Sequence, residues 1–129
     1  MKVIPMDLGV CGVEQLMYAG EVSFDTEDIS TGVELVKLPA NIIVTKAVAV
    51  VKTAFDAGTT NVLTVGTNSD VNDLLGTSDI TEGTAGAYVK NVFVEKHAET
   101  SVKAKYTQTG TDATAGKAEI YLSVVRIPE

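Results

Sequence analysis

The run IIVTKAVAVVKT, Ile42–Thr53, constrains this chain more than any other stretch. Its β-branched residues suit a pleated backbone, and both alternating faces are mostly apolar. A strand apolar on both faces belongs in the middle of a sheet rather than at its edge. Other strand signals surround it. Val22 and Phe24 alternate with Ser23 and Asp25, and Gly32 opens GVELVKLP, which Pro39 closes because proline cannot extend a ladder. Downstream come Asn61–Val65, Tyr88–Val94 and Val102–Tyr106, where Val102, Ala104 and Tyr106 face in and Lys103 and Lys105 face out. In the closing stretch Ala118, Ile120, Leu122 and Val124 alternate with Glu119, Tyr121 and Ser123.

These segments predict about seven or eight strands and no amphipathic helix. Strands at this spacing, divided by Gly/Thr/Asp turns, predict an all-β fold: an antiparallel β-sandwich of jelly-roll or immunoglobulin-like kind. No Cys…Trp…Cys pattern is present, which disfavours a true immunoglobulin domain. At 129 residues and 13.5 kDa the chain fits one domain. We divide it into an N-terminal arm or first strand over 1–20 and a β-sandwich domain over 21–129. The arm carries Val3, Ile4, Met6, Leu8, Val10, Leu16 and Met17, too apolar for a free tail, so it is expected to pack on its own domain or on a neighbour.

Two turn-rich segments interrupt the strands. In KTAFDAGTTNVLTVGT, Lys52–Thr67, Phe55 is expected to anchor a corner, and Asp56-Ala57-Gly58 to turn a hairpin with Gly58 at positive φ. Ser69–Gly86 predicts a long loop with one helical turn at Val71–Leu75 and an extended piece around Ile80.

The net charge of -7 argues against binding a phosphate backbone, so no nucleic-acid partner is expected. No apolar run approaches the roughly 20 residues of a membrane span, and no membrane partner is expected. The N-terminus lacks the apolar core and small-residue cleavage site of a signal peptide. A single cysteine, Cys11, allows no intrachain disulfide and sits among apolar or acidic neighbours, so it reads as a small buried hydrophobe.

Candidate chemistry is sparse. His97 is the sole histidine and reads as an exposed turn residue, because a lone histidine supplies neither a zinc site nor a base with a nucleophile. Asn68, Asp70, Asn72 and Asp73 alternate like the first ligands of a calcium loop, with Asp79 following. An EF-hand would need glycine and glutamate where Asp73 and Asp79 stand, so the group is a weak calcium candidate set against ordinary turn capping. TEGTAGAY and TGTDATAGKAE match no phosphate-binding loop. No catalytic residue, cofactor or enzymatic activity is expected.

One resemblance carries further. From Val33 to Thr67, the residues Leu38-Pro39-Ala40, Val44-Thr45, Thr53-Ala54-Phe55, Gly58-Thr59 and Leu63-Thr64-Val65-Gly66 follow a recurring pattern. The segment resembles small β-sandwich structural proteins of tailed bacteriophages and prophages, among them capsid decoration, head-fibre and related virion proteins. It resembles them closely over this segment and loosely over much of the rest. Met1–Gly20 departs from the pattern.

The resemblance implies a non-enzymatic virion component, a capsid decoration or head-stabilising subunit on the outer head surface. It implies the major capsid protein or neighbouring virion subunits as partners, a homo-oligomer with a trimer favoured, and assembly in the bacterial host cytoplasm. The competing expectation is a ligand- or carbohydrate-binding module of a tail or fibre. Loops 69–86 and 110–116 would then carry the site through Asp70, Asn72, Asp73 and Asp112. A tail or head–tail joining protein is a further alternative.

Overall fold

The computed structural model describes residues 12–128 and the backbone of Ile4–Pro5. Eight strands make up the described structure: β1 (Ile4–Pro5), β2 (Glu14–Ser23), β3 (Val33–Leu38), β4 (Ile42–Thr53), β5 (Thr60–Gly66), β6 (Gly86–Lys96), β7 (Thr100–Thr109) and β8 (Lys117–Arg126). They form two four-stranded sheets, ordered β1-β3-β7-β5 and β2-β8-β4-β6. Every pairing is antiparallel except the short parallel one of Ile4–Pro5 on Val36–Lys37. The described residues contain no helix. The β-sandwich expected from the strand pattern is therefore the fold.

Burial explains the pairing. Ile42, Val44, Ala47, Ala49 and Val51 of β4 are buried, and so are Ala118, Ile120, Leu122 and Val124 of β8. They meet Leu35, Leu38, Leu63, Val65, Val102, Ala104 and Tyr106 of the opposite sheet in one core. Two apolar sheet faces have no other way to leave water than to pack on each other. β4 lies between β8 and β6, so the doubly apolar run is indeed central. A bulge between Val44 and Lys46 shifts its register against both neighbours.

From β2 to β8 every connection passes from one sheet to the other. An immunoglobulin fold keeps several consecutive strand pairs within a sheet, so this order departs from it. The alternation also overturns the hairpin expected at Lys52–Thr67. β4 and β5 belong to different sheets, and Ala54–Thr59 is a corner that carries the chain across the sandwich. The signal was ambiguous because a corner and a hairpin use the same turn residues.

Gly58 is needed there for a different reason than expected. Its φ is not positive, but a Cβ at that position would lie 2.8 Å from the backbone nitrogen of Thr111. Its own N–H donates to the Thr111 carbonyl at 2.8 Å. Close backbone approach, not left-handed conformation, selects glycine.

The long loop between β5 and β6 also differs from expectation. No helical turn forms at Val71–Leu75, and no strand at Ile80. Val71 instead adopts φ 54° within a turn closed by its N–H to the Asn68 carbonyl at 3.1 Å. Leu75 then forms an isolated bridge to Val65 at the edge of β5. Leu74, Leu75 and Ile80 are buried, so the apolar anchors read from the sequence hold the loop without a helix.

Candidate functional site

Two regions carry the residues singled out in the sequence: the loops joining the sheets, and the outer surfaces of the sheets themselves.

At one end, the corner Ala54–Thr59 docks against the loop between β7 and β8. Asp56 accepts hydrogen bonds from the Thr114 N–H at 2.8 Å, the Thr114 hydroxyl at 2.9 Å and the Ala115 N–H at 3.0 Å. These donors, led by the Thr114 amide, hold its carboxyl below the usual range. Beneath it, the Phe55 and Tyr106 rings meet with centroids 4.7 Å apart. The Tyr106 hydroxyl donates to Asn61 Oδ1 at 2.5 Å. Burial, with Asp56 and Glu82 nearby, pushes the Tyr106 phenol up. Glu82 is almost fully buried and accepts the Leu63 N–H at 2.8 Å, continuing the edge of β5 with a side chain. Burial raises its carboxyl above the ordinary range, against the opposing effect of the Leu63 amide.

This end is therefore a set of mutually satisfied contacts. Asp112 is exposed on the same loop, apart from the clamp at Asp56.

The four calcium-candidate residues lie together in the turn after β5. Asp73 accepts the Thr67 N–H at 2.6 Å and the Thr67 hydroxyl at 2.5 Å, one on each carboxylate oxygen. Asn68 and Asn72 bond reciprocally, the Asn72 N–H to Asn68 Oδ1 at 2.9 Å and the Asn68 amide to Asn72 Oδ1 at 2.7 Å. These bonds hold Val71 in a conformation that strains a β-branched residue by about 1–3 kcal/mol.

Asp79 accepts the Gly76 N–H at 2.6 Å and pairs with Lys90 at 2.9 Å, and both partners, Lys90 first, pull its carboxyl below the usual range. Among the described residues no group of three or more His, Cys, Asp or Glu side chains is placed to hold a metal ion.

Asp70 faces a shallow hollow of about 90 Å³ on the outer side of β5 and β7, lined by Val62, Thr64, Asp70, Asn72, Thr77, Lys105 and Thr107. A pocket that encloses a drug-sized ligand measures roughly 300–1,000 Å³. The hollow is far below that.

His97 is exposed in the turn between β6 and β7, 2.7 Å from Glu95 and 3.4 Å from Asn41. Cys11 lies outside the described residues. No described helix is long and apolar enough to cross a membrane.

The feature that sequence reading missed is the outer face of the β2-β8-β4-β6 sheet. Tyr18 is opposite Tyr121, Tyr121 opposite Val48, and Val48 opposite Val89, so one cross-strand row runs over all four strands. The Tyr18 and Tyr121 rings are 5.5 Å apart. Leu16 and Phe93 flank the row and are exposed. The signal was present in the doubly apolar run of β4, and in β6, where Tyr88 and Val92 alternate with Val89 and Phe93.

No protein-family model matches the chain, and no curated protein matches it by sequence. Solved structures do match. The chain is similar to a chain of the cyanophage Pam1 capsid asymmetric unit, at 18% identity and a TM-score of 0.67, covering 99% of this chain and 94% of that one. It is also similar to a chain of the acid-stable capsid of Helicobacter pylori bacteriophage KHP30, at 19% identity and a TM-score of 0.63, covering 93% and 97%. At these identities the shared property is the fold, and it extends over nearly the whole length of all three chains.

Proposed function

We propose that this protein is a non-enzymatic structural subunit of a bacteriophage virion, bound to the outer head surface as a decoration or head-stabilising subunit. The observation that carries the reading is end-to-end similarity of fold to chains of two phage capsid structures, which takes in the segment from Val33 to Thr67 and nearly all of the rest. The strand alternation supports a jelly roll, a double-sheet form built from two Greek keys that is common in viral capsids.

In this reading the partners are the major capsid protein or neighbouring virion subunits, and the protein itself is a closed homo-oligomer, a trimer. Assembly takes place in the host cytoplasm. A rigid sandwich of net charge -7 stays soluble at high copy number, and repeated contacts on a symmetric lattice multiply modest affinities.

The test is quantitative mass spectrometry and cryo-electron microscopy of purified particles. Stoichiometric copies with density on the outside of the head support the proposal. Absence from particles overturns it, and density confined to the tail replaces the head assignment by a tail one.

A further inference from the structure

We propose that residues 76–85, the second half of the loop between β5 and β6, form a strap over the outer edge of β5 that opens when Glu82 loses its proton. The inference concerns the isolated chain and stands apart from the virion reading above.

A strand at the edge of a sheet carries backbone groups that need partners. β5 ends the β1-β3-β7-β5 sheet and pairs with β7 on one side only. On its other side the loop takes the place of a further strand, and its two halves are fastened differently. In the first half the Val65 N–H donates to the Leu75 carbonyl at 3.0 Å. The Leu74 and Leu75 N–H groups donate to the Val65 carbonyl at 3.1 and 2.9 Å. Leu74 and Leu75 are fully buried there. None of these bonds and contacts involves a titratable side chain.

The second half is fastened to β5 through one residue. Glu82 accepts the Leu63 N–H on its side chain at 2.8 Å and the Phe55 N–H on its backbone carbonyl at 2.9 Å. A single position thereby joins the loop, the strand edge and the corner that crosses between the sheets. Ile80 adds a buried apolar anchor, and Asp79 ties the strap to Lys90 of β6 at 2.9 Å.

Glu82 is 8% exposed, and among the described residues no lysine, arginine or histidine pairs with it. A buried carboxyl without a cation favours its neutral form, which still accepts the Leu63 N–H through its carbonyl oxygen. Its surroundings do not supply the missing charge. The corner contributes Asp56, β7 contributes Tyr106, and the loop itself contributes Asp79, already paired with Lys90. β5 has no titratable side chain, and Asp112 on the loop behind the corner is exposed. Asp56 and Asp79 are held below the ordinary carboxylate range, and Tyr106 above its own. They keep their charge states while Glu82, pushed up by burial, changes.

The closed strap therefore holds the Glu82 proton more tightly than the open one. It is fastened below the ordinary carboxylate value and loosens as pH rises through the raised one. Within that window the open fraction grows by up to about tenfold per pH unit. The first half keeps its backbone bonds, so the loop hinges near Gly76 instead of detaching.

The test is amide hydrogen exchange, read by NMR on the full chain across that window, in the wild type and in Glu82→Gln. Each rate is divided by the intrinsic rate at the same pH. Protection at Leu63 and Phe55 is expected to fall by up to about tenfold per pH unit in the wild type and to stay level in the variant. Val65 and Leu75 are expected to stay level in both. Protection at Leu63 that ignores pH in the wild type overturns the inference. So does protection lost at Val65 and Leu75 in step with Leu63, which would mean opening of the whole loop.

Should Glu82→Gln not fold, carbon-13 titration of the Glu82 carboxyl in the wild type takes its place. A midpoint above the ordinary carboxylate value, coincident with the change at Leu63, supports the strap. A midpoint at or below that value overturns it.

Discussion

The ring of Phe55 lies directly against the bare α-carbon of Gly116, where a Cβ would come 2.3 Å from Phe55 Cδ2. Gly116 also holds φ 148°, outside the range that L side chains favour. Two requirements thus meet at one position, and both serve the corner that carries the chain between sheets. Gly116→Ala is expected to destabilise the fold by about 3 kcal/mol, through overpacking and backbone strain together. Phe55→Ala, which empties the buried side of the same contact, is expected to cost about 3–5 kcal/mol. Urea denaturation of both variants checks the pair. Wild-type midpoints in either would show that the corner does not depend on this contact.

Asp56 gives an acid limb to the stability profile. Its folded carboxyl titrates below its ordinary value because Thr114 and Ala115 donate to the charged form. The stability it contributes is present above the unfolded value and is lost as pH falls through the lowered folded one. Asp56→Asn should therefore lower Tm at neutral pH and flatten its decline in acid. Faster amide exchange at Thr114 and Ala115 in the variant would locate the loss. Unchanged exchange at both amides would refute the clamp.

Glu82 acts in the opposite sense. Burial raises its folded carboxyl, so its stabilising contribution is complete below the unfolded value and disappears as pH rises through the raised folded one. Glu82→Gln keeps an oxygen that can accept the Leu63 N–H but does not titrate. The Tm of the variant minus that of the wild type should grow more positive as pH rises across that window. A difference independent of pH would mean that Glu82 is not buried as described.

Both oxygens of Asp73 are already engaged by Thr67, with one donor on each. Asp73→Ala should cost about 1–3 kcal/mol, since it leaves a half-buried amide and hydroxyl to find other partners. Millimolar calcium should leave the Tm of the wild type where it is. A rise with calcium that vanishes in the Asp70→Ala variant would assign a cation site to this turn.

Much of this architecture was legible in the order of residues. The alternation of Ala118, Ile120, Leu122 and Val124 maps onto buried positions one for one, and so does that of Val102, Ala104 and Tyr106. The centrality of Ile42–Thr53 was readable because a strand apolar on both sides cannot face water on either for long.

Which sheet a strand joins was not readable. Asp-Ala-Gly turns a chain within a sheet or between sheets, and the choice between them is made by partners distant in sequence, such as Phe55 with Gly116 and Asp56 with Thr114. The turn at Asn68–Asp73 was misread because Asp and Asn serve helix caps and tight turns equally well. Here the Asn68–Asn72 bonds and the burial of Val71 settle it for the turn. As for the site, the residue types that suggest ligand chemistry turn out to bond one another, while the apolar sheet face carries no motif at all.

The position of β8 between β2 and β4 has a kinetic consequence. β2 pairs only with β8 in its sheet, and β4 pairs with β6 and β8, so β2 has no place to dock until the last of these strands has been made. Folding must wait for contacts spanning most of the chain, which places it in the slow regime of roughly milliseconds to seconds. During synthesis on the ribosome, a chain short of β8 has every strand of the β1-β3-β7-β5 sheet but lacks the strand that joins β2 to β4. The β2-β8-β4-β6 sheet is therefore the later of the two to close, and the sandwich stays open on that side until Lys117–Arg126 has been made.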